Sequence, residues 1–164
     1  MTTILAVRDT LEMWSDTRLC ASCDRQQDNY QEKIHRVRLH TRNIKSLIDY
    51  NTPVDVLIGF SGEVQCGLEF VLWCKEGLQR DVRPSFPVES GFRGLILFPD
   101  TKLYTCENRC FPIPQNVPYY VIGSGQEYCH GALSAGASPQ MAMEVASVLD
   151  INSGLPLHRL SLKE

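Results

Sequence analysis

Residues 1–8 read Met1-Thr2-Thr3-Ile4-Leu5-Ala6-Val7-Arg8. From Thr2 onward this is a strand: Ile4, Ala6 and Arg8 alternate with Leu5 and Val7, and one side is strongly apolar. The strand starts at a threonine that directly follows a methionine. Removal of Met1, usual when the next residue is small, would leave Thr2 with a hydroxyl and a free α-amine. Such a residue carries a nucleophile and its base on one carbon skeleton. An α-amine titrates near about 7.7–8.0, so close to working pH it is able to be neutral and to accept a proton. A Met-Thr start is also how many plain surface termini begin, so the decision rests on the remainder of the chain.

Outward from this stretch, the composition bounds the answer. The 164 residues are 43% apolar and 21% charged, which is ordinary globular composition and enough chain to bury a core. We expect one domain over residues 1–164. A net charge of −3 offers no electrostatic reason to expect nucleic acid or an anionic membrane as partner. No apolar run reaches the roughly 18 residues of a membrane span, and no basic-then-apolar secretory segment opens the chain. Seven cysteines cannot all pair within one chain. Free thiols in a reducing cytoplasm are the expectation. No Walker loop or glycine-rich dinucleotide turn is present, and no cofactor is expected.

Along the chain, Leu11 to Ser15 and Glu32 to Arg38 read as further strands. His40 to Tyr50 has helical spacing, with Ile44, Leu47 and Ile48 on one face, ended by Asn51-Thr52-Pro53. Val54 to Phe60 is a dense apolar strand that runs through Ser61-Gly62 into a helix ending near Leu78. That helix has an expected buried stripe of Val64, Leu68, Val71, Leu72 and Leu78. Gln79 to Gly91 is a loop. Phe92 to Phe98 and Lys102 to Cys106 form a hairpin turning at Pro99-Asp100-Thr101. Asn108 to Pro118 is irregular, and Tyr119 to Gly123 is a strand. Ser124-Gly125 opens a helix that Gly136 stops. Ser138 caps the next helix, with Pro139 in its first turn and Met141, Val145, Val148 and Leu149 as its core stripe. A last strand spans Leu155 to Leu162. Hairpins with clustered helices make this α+β rather than alternating βα, and two antiparallel sheets covered by helices would accommodate it.

Six stretches then fall into a recognisable order: Thr2-Thr3-Ile4; Trp14-Ser15-Asp16-Thr17-Arg18; Glu32-Lys33-Ile34-His35-Arg36-Val37; Gly59-Phe60-Ser61-Gly62; Val121-Ile122-Gly123-Ser124-Gly125 with Tyr128; and Asp150-Ile151-Asn152-Ser153-Gly154. In that order and at most of that spacing, the chain resembles the catalytic β-type subunits of the proteasome family. That family includes the bacterial HslV peptidase and lies within the N-terminal-nucleophile hydrolases. The resemblance spans almost the whole chain. It implies a four-layer αββα sandwich and a threonine endopeptidase in a homo-oligomeric ring. The implied substrate is a peptide or unfolded protein, and any ATP-dependent unfolding would need a separate ATPase unfoldase.

The resemblance also assigns roles, each with a physical basis. Thr2 Oγ would attack a peptide carbonyl, and the Thr2 amine would take the proton directly or through water. Lys33 would lower the pKa of that amine and stabilise developing negative charge. Asp16 would neutralise and orient Lys33, since a buried unpaired ammonium is costly. The Gly62 N–H is the candidate oxyanion donor. Ser124 would hydrogen-bond the amine or a water, and Asp150 and Ser153 would hold the amine in place. Taken singly, each residue has a plainer reading. Asp16 and Lys33 would be a surface ion pair, Ser124 an N-cap, Asp150 with Ser153-Gly154 a helix stop, and Gly62 a turn. Lys45 is a weaker alternative to Lys33.

The resemblance places Leu19, Cys20, Phe60 and Val64 in the substrate pocket, implying an apolar side chain beside the cut bond. The sequence also departs from the family. About 39–54 reads as an insertion, no long second helix follows the first, and Glu63 stands where the family usually has a small residue. Rival readings are a catalytically silent ring or scaffold subunit, an amide hydrolase acting on a small molecule, and a zinc module built on Cys20, Cys23, Cys106 and Cys110. Of these the last is set against scattered free thiols, and no metal is expected.

Overall fold

A computed structural model describes residues 2–18, 32–40 and 45–164. The opening alternation forms strand β1 (Thr3–Val7), which pairs antiparallel on one side with β2 (Glu12–Asp16) and on the other with β8 (Tyr119–Gly123). The last strand, β9 (Leu157–Ser161), pairs with β2, completing a four-stranded sheet in the order β8-β1-β2-β9. The second sheet has five strands, in sequence order: β3 (Ile34–Leu39), β4 (Val54–Ser61), β5 (Arg93–Leu97), β6 (Leu103–Cys106) and β7 (Ile113–Gln115). Every pairing in both sheets is antiparallel.

Period-2 alternation sorts β1 between two cores. Ile4 and Ala6, together with Met13 of β2, face the second sheet, where they meet Ile34, Leu57 and Leu95. Leu5 faces the other way, against helices α2 (Gln126–Ser134) and α3 (Pro139–Leu149), in a core with Cys129, Ala142, Met143 and Ala146. The outer face of the second sheet packs on helix α1 (Val64–Lys75) through Phe60, Phe70, Trp73 and Phe92. The architecture is therefore a four-layer αββα sandwich of two antiparallel sheets flanked by helices. Among the described residues, no helix is long and apolar enough to cross a membrane.

Both expected helix stripes are only partly buried in the structure, with Val71 and Leu78 of the first in the core as expected. On α1 the buried face is Cys66, Gly67, Phe70, Val71, Trp73 and Cys74, whereas Leu68 and Leu72 are exposed. Gly67 sets this phase, because a Cβ there would lie 2.0 Å from the Phe60 ring. On α3 the buried residues are Ala142, Met143 and Ala146, and Met141, Val148 and Leu149 are exposed. Ala142 and Ala146 let α3 settle close to the sheet with Met143 between them, while Met141, Val148 and Leu149 turn outward. Ser138 does cap α3, its hydroxyl accepting from Met141 N at 3.2 Å with Pro139 at the first position.

The helix expected over His40 to Tyr50 is not formed at its described residues, 40 and 45–50; Ile44 lies outside the described residues. Instead this segment pairs with the exit of α1. Leu47 N donates to Leu78 O at 3.0 Å, Arg80 N to Lys45 O at 2.9 Å, and Tyr50 Oη to Gly77 O at 3.2 Å. Burying Ile48 and Tyr50 in the α1-side core needs this extended path. The stretch expected to be irregular over Asn108 to Pro118 contains the short edge strand β7.

Candidate active site

Thr2 immediately precedes β1, Asp16 ends β2, and Lys33 immediately precedes β3. The first two belong to one sheet and the third to the other, so the site forms where the two sheets meet at one end. All three side chains are buried, Asp16 completely and Lys33 to 4% exposure. Thr2 Oγ1 donates to Asp16 Oδ1. Lys33 Nζ donates to the same oxygen at 3.1 Å and to Oδ2 at 3.2 Å. The Arg18 carbonyl accepts from Lys33 Nζ at 2.5 Å. Three backbone donors complete the shell of the carboxylate: Thr3 N to Oδ1 at 3.0 Å, and Arg18 N and Gly154 N to Oδ2 at 3.2 and 3.1 Å. The surface ion-pair reading does not describe this pair, which is buried and saturated with hydrogen bonds. Lys45, the weaker alternative, pairs with Asp81 at the surface.

A second cluster stands behind the first. Asp150 is the C-cap of α3. Ser124 Oγ and Ser153 Oγ both donate to its Oδ2 at 2.6 Å, and Asn152 N donates to Oδ1 at 3.2 Å. Burial favours the neutral acid, but these donors outweigh it and hold the Asp150 carboxyl below its ordinary pKa. Because the Ser153 proton is committed to Asp150, the 2.7 Å contact between Ser153 Oγ and Thr3 Oγ1 is donated by Thr3. The chain Thr3, Ser153, Asp150, Ser124 thereby ties β1 to both ends of the α2–α3 layer.

Two glycines bring these elements together. Gly123 has φ +98°, and a Cβ there would fall 1.8 Å from the Thr2 carbonyl oxygen. At Gly125 a Cβ would fall 2.0 Å from Thr3 Oγ1. Only hydrogen at these positions lets the β8–α2 turn close over the first two described residues.

The site opens onto a cleft of about 760 Å³ whose lining includes Thr2, Gly62 and Ser124. Gly62, at φ +98°, makes the turn from β4 into α1. Val64 is half-buried at the start of that helix, and Phe60, 2% exposed, lies in the α1-side core. Leu19 and Cys20 lie outside the described residues. Cys23 does too, whereas Cys106 and Cys110 are buried in the core. Burial pushes the Cys106 thiol well up and that of Cys110 to about 12, so both are protonated. Among the described residues no group of three or more histidine, cysteine or acidic side chains is placed to hold a metal ion.

Reading residues alone left two contributors without a part. Thr3 supplies the link to Ser153. Arg18 donates from Nη1 to the carbonyls of Ile151 and Ser153 at 3.1 and 3.3 Å. The run Asp16-Thr17-Arg18 carried the signal for Arg18, but only the fold shows what its guanidinium reaches.

No family model matches the sequence, and no curated protein matches it. Solved structures do. HslV from Trypanosoma brucei aligns at a TM-score of 0.60 with 18% identity, over 98% of this chain and 99% of that one. BPH from Thiobacillus denitrificans, solved in complex with epoxomicin, aligns at 0.59 with 16% identity over 97% of each chain. A Gly-1 mutant of Anbu from Hyphomicrobium sp. strain MC1 aligns at 0.66 with 14% identity, over 98% of this chain and 81% of that one. Identities this low speak to fold alone, and on that ground the chain has the N-terminal-nucleophile hydrolase fold that HslV and Anbu share.

Proposed function

We propose that this chain is a threonine endopeptidase of proteasome-like type, with Thr2 as the nucleophile once Met1 is removed. One observation carries the reading. Thr2 Oγ1 and Lys33 Nζ meet on a single buried oxygen, Asp16 Oδ1, at the edge of a cleft that Gly62 also lines. A structural ion pair has no need of a hydroxyl on the same carboxylate oxygen, or of an open cleft beside it.

In the proposed reaction Thr2 Oγ attacks the carbonyl carbon of a peptide, and its proton passes to the freed α-amine. Lys33 keeps that amine's pKa low and stabilises charge on the oxygen. Asp16 holds Lys33 and the Thr2 hydroxyl in one geometry. The oxyanion of the tetrahedral intermediate is met by the Gly62 N–H. On collapse the C–N bond breaks, the leaving amine takes the proton, and an ester remains on Thr2 Oγ. Water, deprotonated by the same α-amine, attacks that ester and releases the acid. Ser124, Asp150 and Ser153 position the amine and the residues that follow it. We further propose a homo-oligomer acting on peptides or unfolded chains in the cytoplasm. Exposed apolar side chains on and after α3 support self-association, as does the helical assembly of the Anbu complex from Pseudomonas aeruginosa, which shares the fold.

The test joins intact mass with covalent labelling. A sample lacking Met1 should form an adduct mapped to Thr2 with a threonine-directed epoxyketone or boronate. Thr2→Ala should abolish both the adduct and peptide cleavage. A correctly trimmed sample that forms no adduct refutes the peptidase. Retained Met1 would block the amine and favour a silent subunit.

A further inference from the structure

The cleft beside Thr2 carries charges on several elements. Glu63 lies at the entry to α1, Glu89 in the turn before β5, and Glu127 in the first turn of α2. All three are exposed, and Arg93 is the one cation among the cleft's described lining residues. The first two glutamates share a rigid wall. Glu63 N donates to Ser90 O at 3.0 Å, and a Cβ on Gly62 would lie 2.6 Å from Gly91 O. That contact fixes the α1 entry against the 88–91 turn. Glu127 faces them from the α2 side, next to Gln126, whose Oε1 lies 3.5 Å from Arg93 Nη1. A second cavity of about 540 Å³, beside α2, shares Arg93, Gln126 and Glu127 with this cleft. Phe60 and Phe92 are in the core and do not line the cleft.

We propose that Glu63, Glu89 and Glu127 make this a cleft for peptides carrying a lysine or arginine side chain close to the bond presented to Thr2. The identity of the reaction rests on the peptidase reading above; the charge preference rests on the cleft alone. Between unit charges about 6 Å apart in a solvent-filled cleft, Coulomb attraction is worth about three- to fivefold in binding. Among the described lining residues, three glutamates against one arginine leave an excess of two negative charges, or roughly tenfold between a cationic and a neutral peptide and more against an anionic one. The interaction is solvent-exposed, so salt weakens it, the Debye length being about 8 Å at 0.15 M and about 3 Å at 1 M.

Binding is measured by fluorescence anisotropy on the full chain carrying Thr2→Ala, which leaves peptides intact. The probes are labelled pentapeptides differing only in a central lysine, leucine or glutamate. The expected result is at least tenfold tighter binding of the lysine peptide than of the leucine peptide, and weaker binding still of the glutamate peptide. That gap should collapse near 1 M salt and shrink about threefold with each of Glu63→Gln, Glu89→Gln and Glu127→Gln. Equal or tighter binding of the leucine or glutamate peptide overturns the proposal. So does a lysine preference that survives all three single variants, or no measurable binding of any peptide. Failure of the peptidase reading shows elsewhere, as a trimmed wild-type chain that forms no adduct while the silent variant still ranks the peptides by charge.

Discussion

Replacing Asp16 by asparagine tests the core of the site. The change removes one negative charge and one acceptor oxygen from a fully buried position. At the 3.1 Å separation of the ion pair, the Coulomb attraction is about 5 kcal/mol at an effective dielectric constant of about 20. Desolvation of the two ions offsets most of this, so the intact pair adds little net stability. Removing one partner is different, because the survivor stays buried: the cost is about 3–5 kcal/mol. Asparagine also presents an NH2 group where either Thr2 and Thr3, or Arg18 and Gly154, now donate. An unsatisfied buried donor costs about 1–3 kcal/mol more. We therefore expect Asp16→Asn to lose at least about 3 kcal/mol. Lys33→Met should lose less, because the carboxylate keeps its other donors, and the double variant should fall short of the sum by about 2 kcal/mol. Urea unfolding at fixed protein concentration, followed by the fluorescence of Trp14 and Trp73, reads all four midpoints. A loss under about 1 kcal/mol for Asp16→Asn, or strictly additive single variants, would refute the geometry on which the site rests.

Gly123→Ala places a methyl group on the Thr2 carbonyl at a positive φ; we expect about 2–4 kcal/mol of destabilisation and at least tenfold slower adduct formation at Thr2, and a wild-type midpoint would contradict this. His35 stacks on Phe60 with its Nε2 buried and unbonded. Burial lowers its pKa, helped by Lys75 and His158 and opposed by Glu32. A depressed folded pKa means that the unfolded chain binds the proton more readily, so stability should be full above about 6.5 and fall as pH drops through the lower folded value. His35→Phe should remove that part of the pH dependence, and unfolding midpoints identical in slope for both proteins between about pH 7 and 5 would show the assignment to be mistaken.

The strands were legible because side-chain alternation is local: Tyr119 to Gly123 and the hairpin turning at Pro99-Asp100-Thr101 stand where their pattern placed them. The helix faces were legible only in part, at Val71 and Leu78. Leu68, Leu72, Met141, Val148 and Leu149 have the right character and spacing for a core stripe, yet all five are exposed. The buried faces belong to residues that permit close approach, such as Gly67 against Phe60 and Ala146 beside Gly125. Hydrophobicity along one helix cannot report how near another element comes. Lys45 to Tyr50 failed for a related reason, since its backbone partners lie beyond α1.

At the site, residue types and order named Thr2, Asp16, Lys33, Gly62, Ser124, Asp150 and Ser153 as candidates. The fold brings Thr2, Asp16 and Lys33 onto one carboxylate, and Ser124, Asp150 and Ser153 onto another. Neighbours a few positions apart were enough to place most of the strands, the turn glycines and the polar residues at their ends. Which of these meet was settled by how the two sheets stack. Hydrogen bonds between residues 14 to 150 positions apart depend on how two sheets stack, and that depends on packing volumes no single stretch of chain contains.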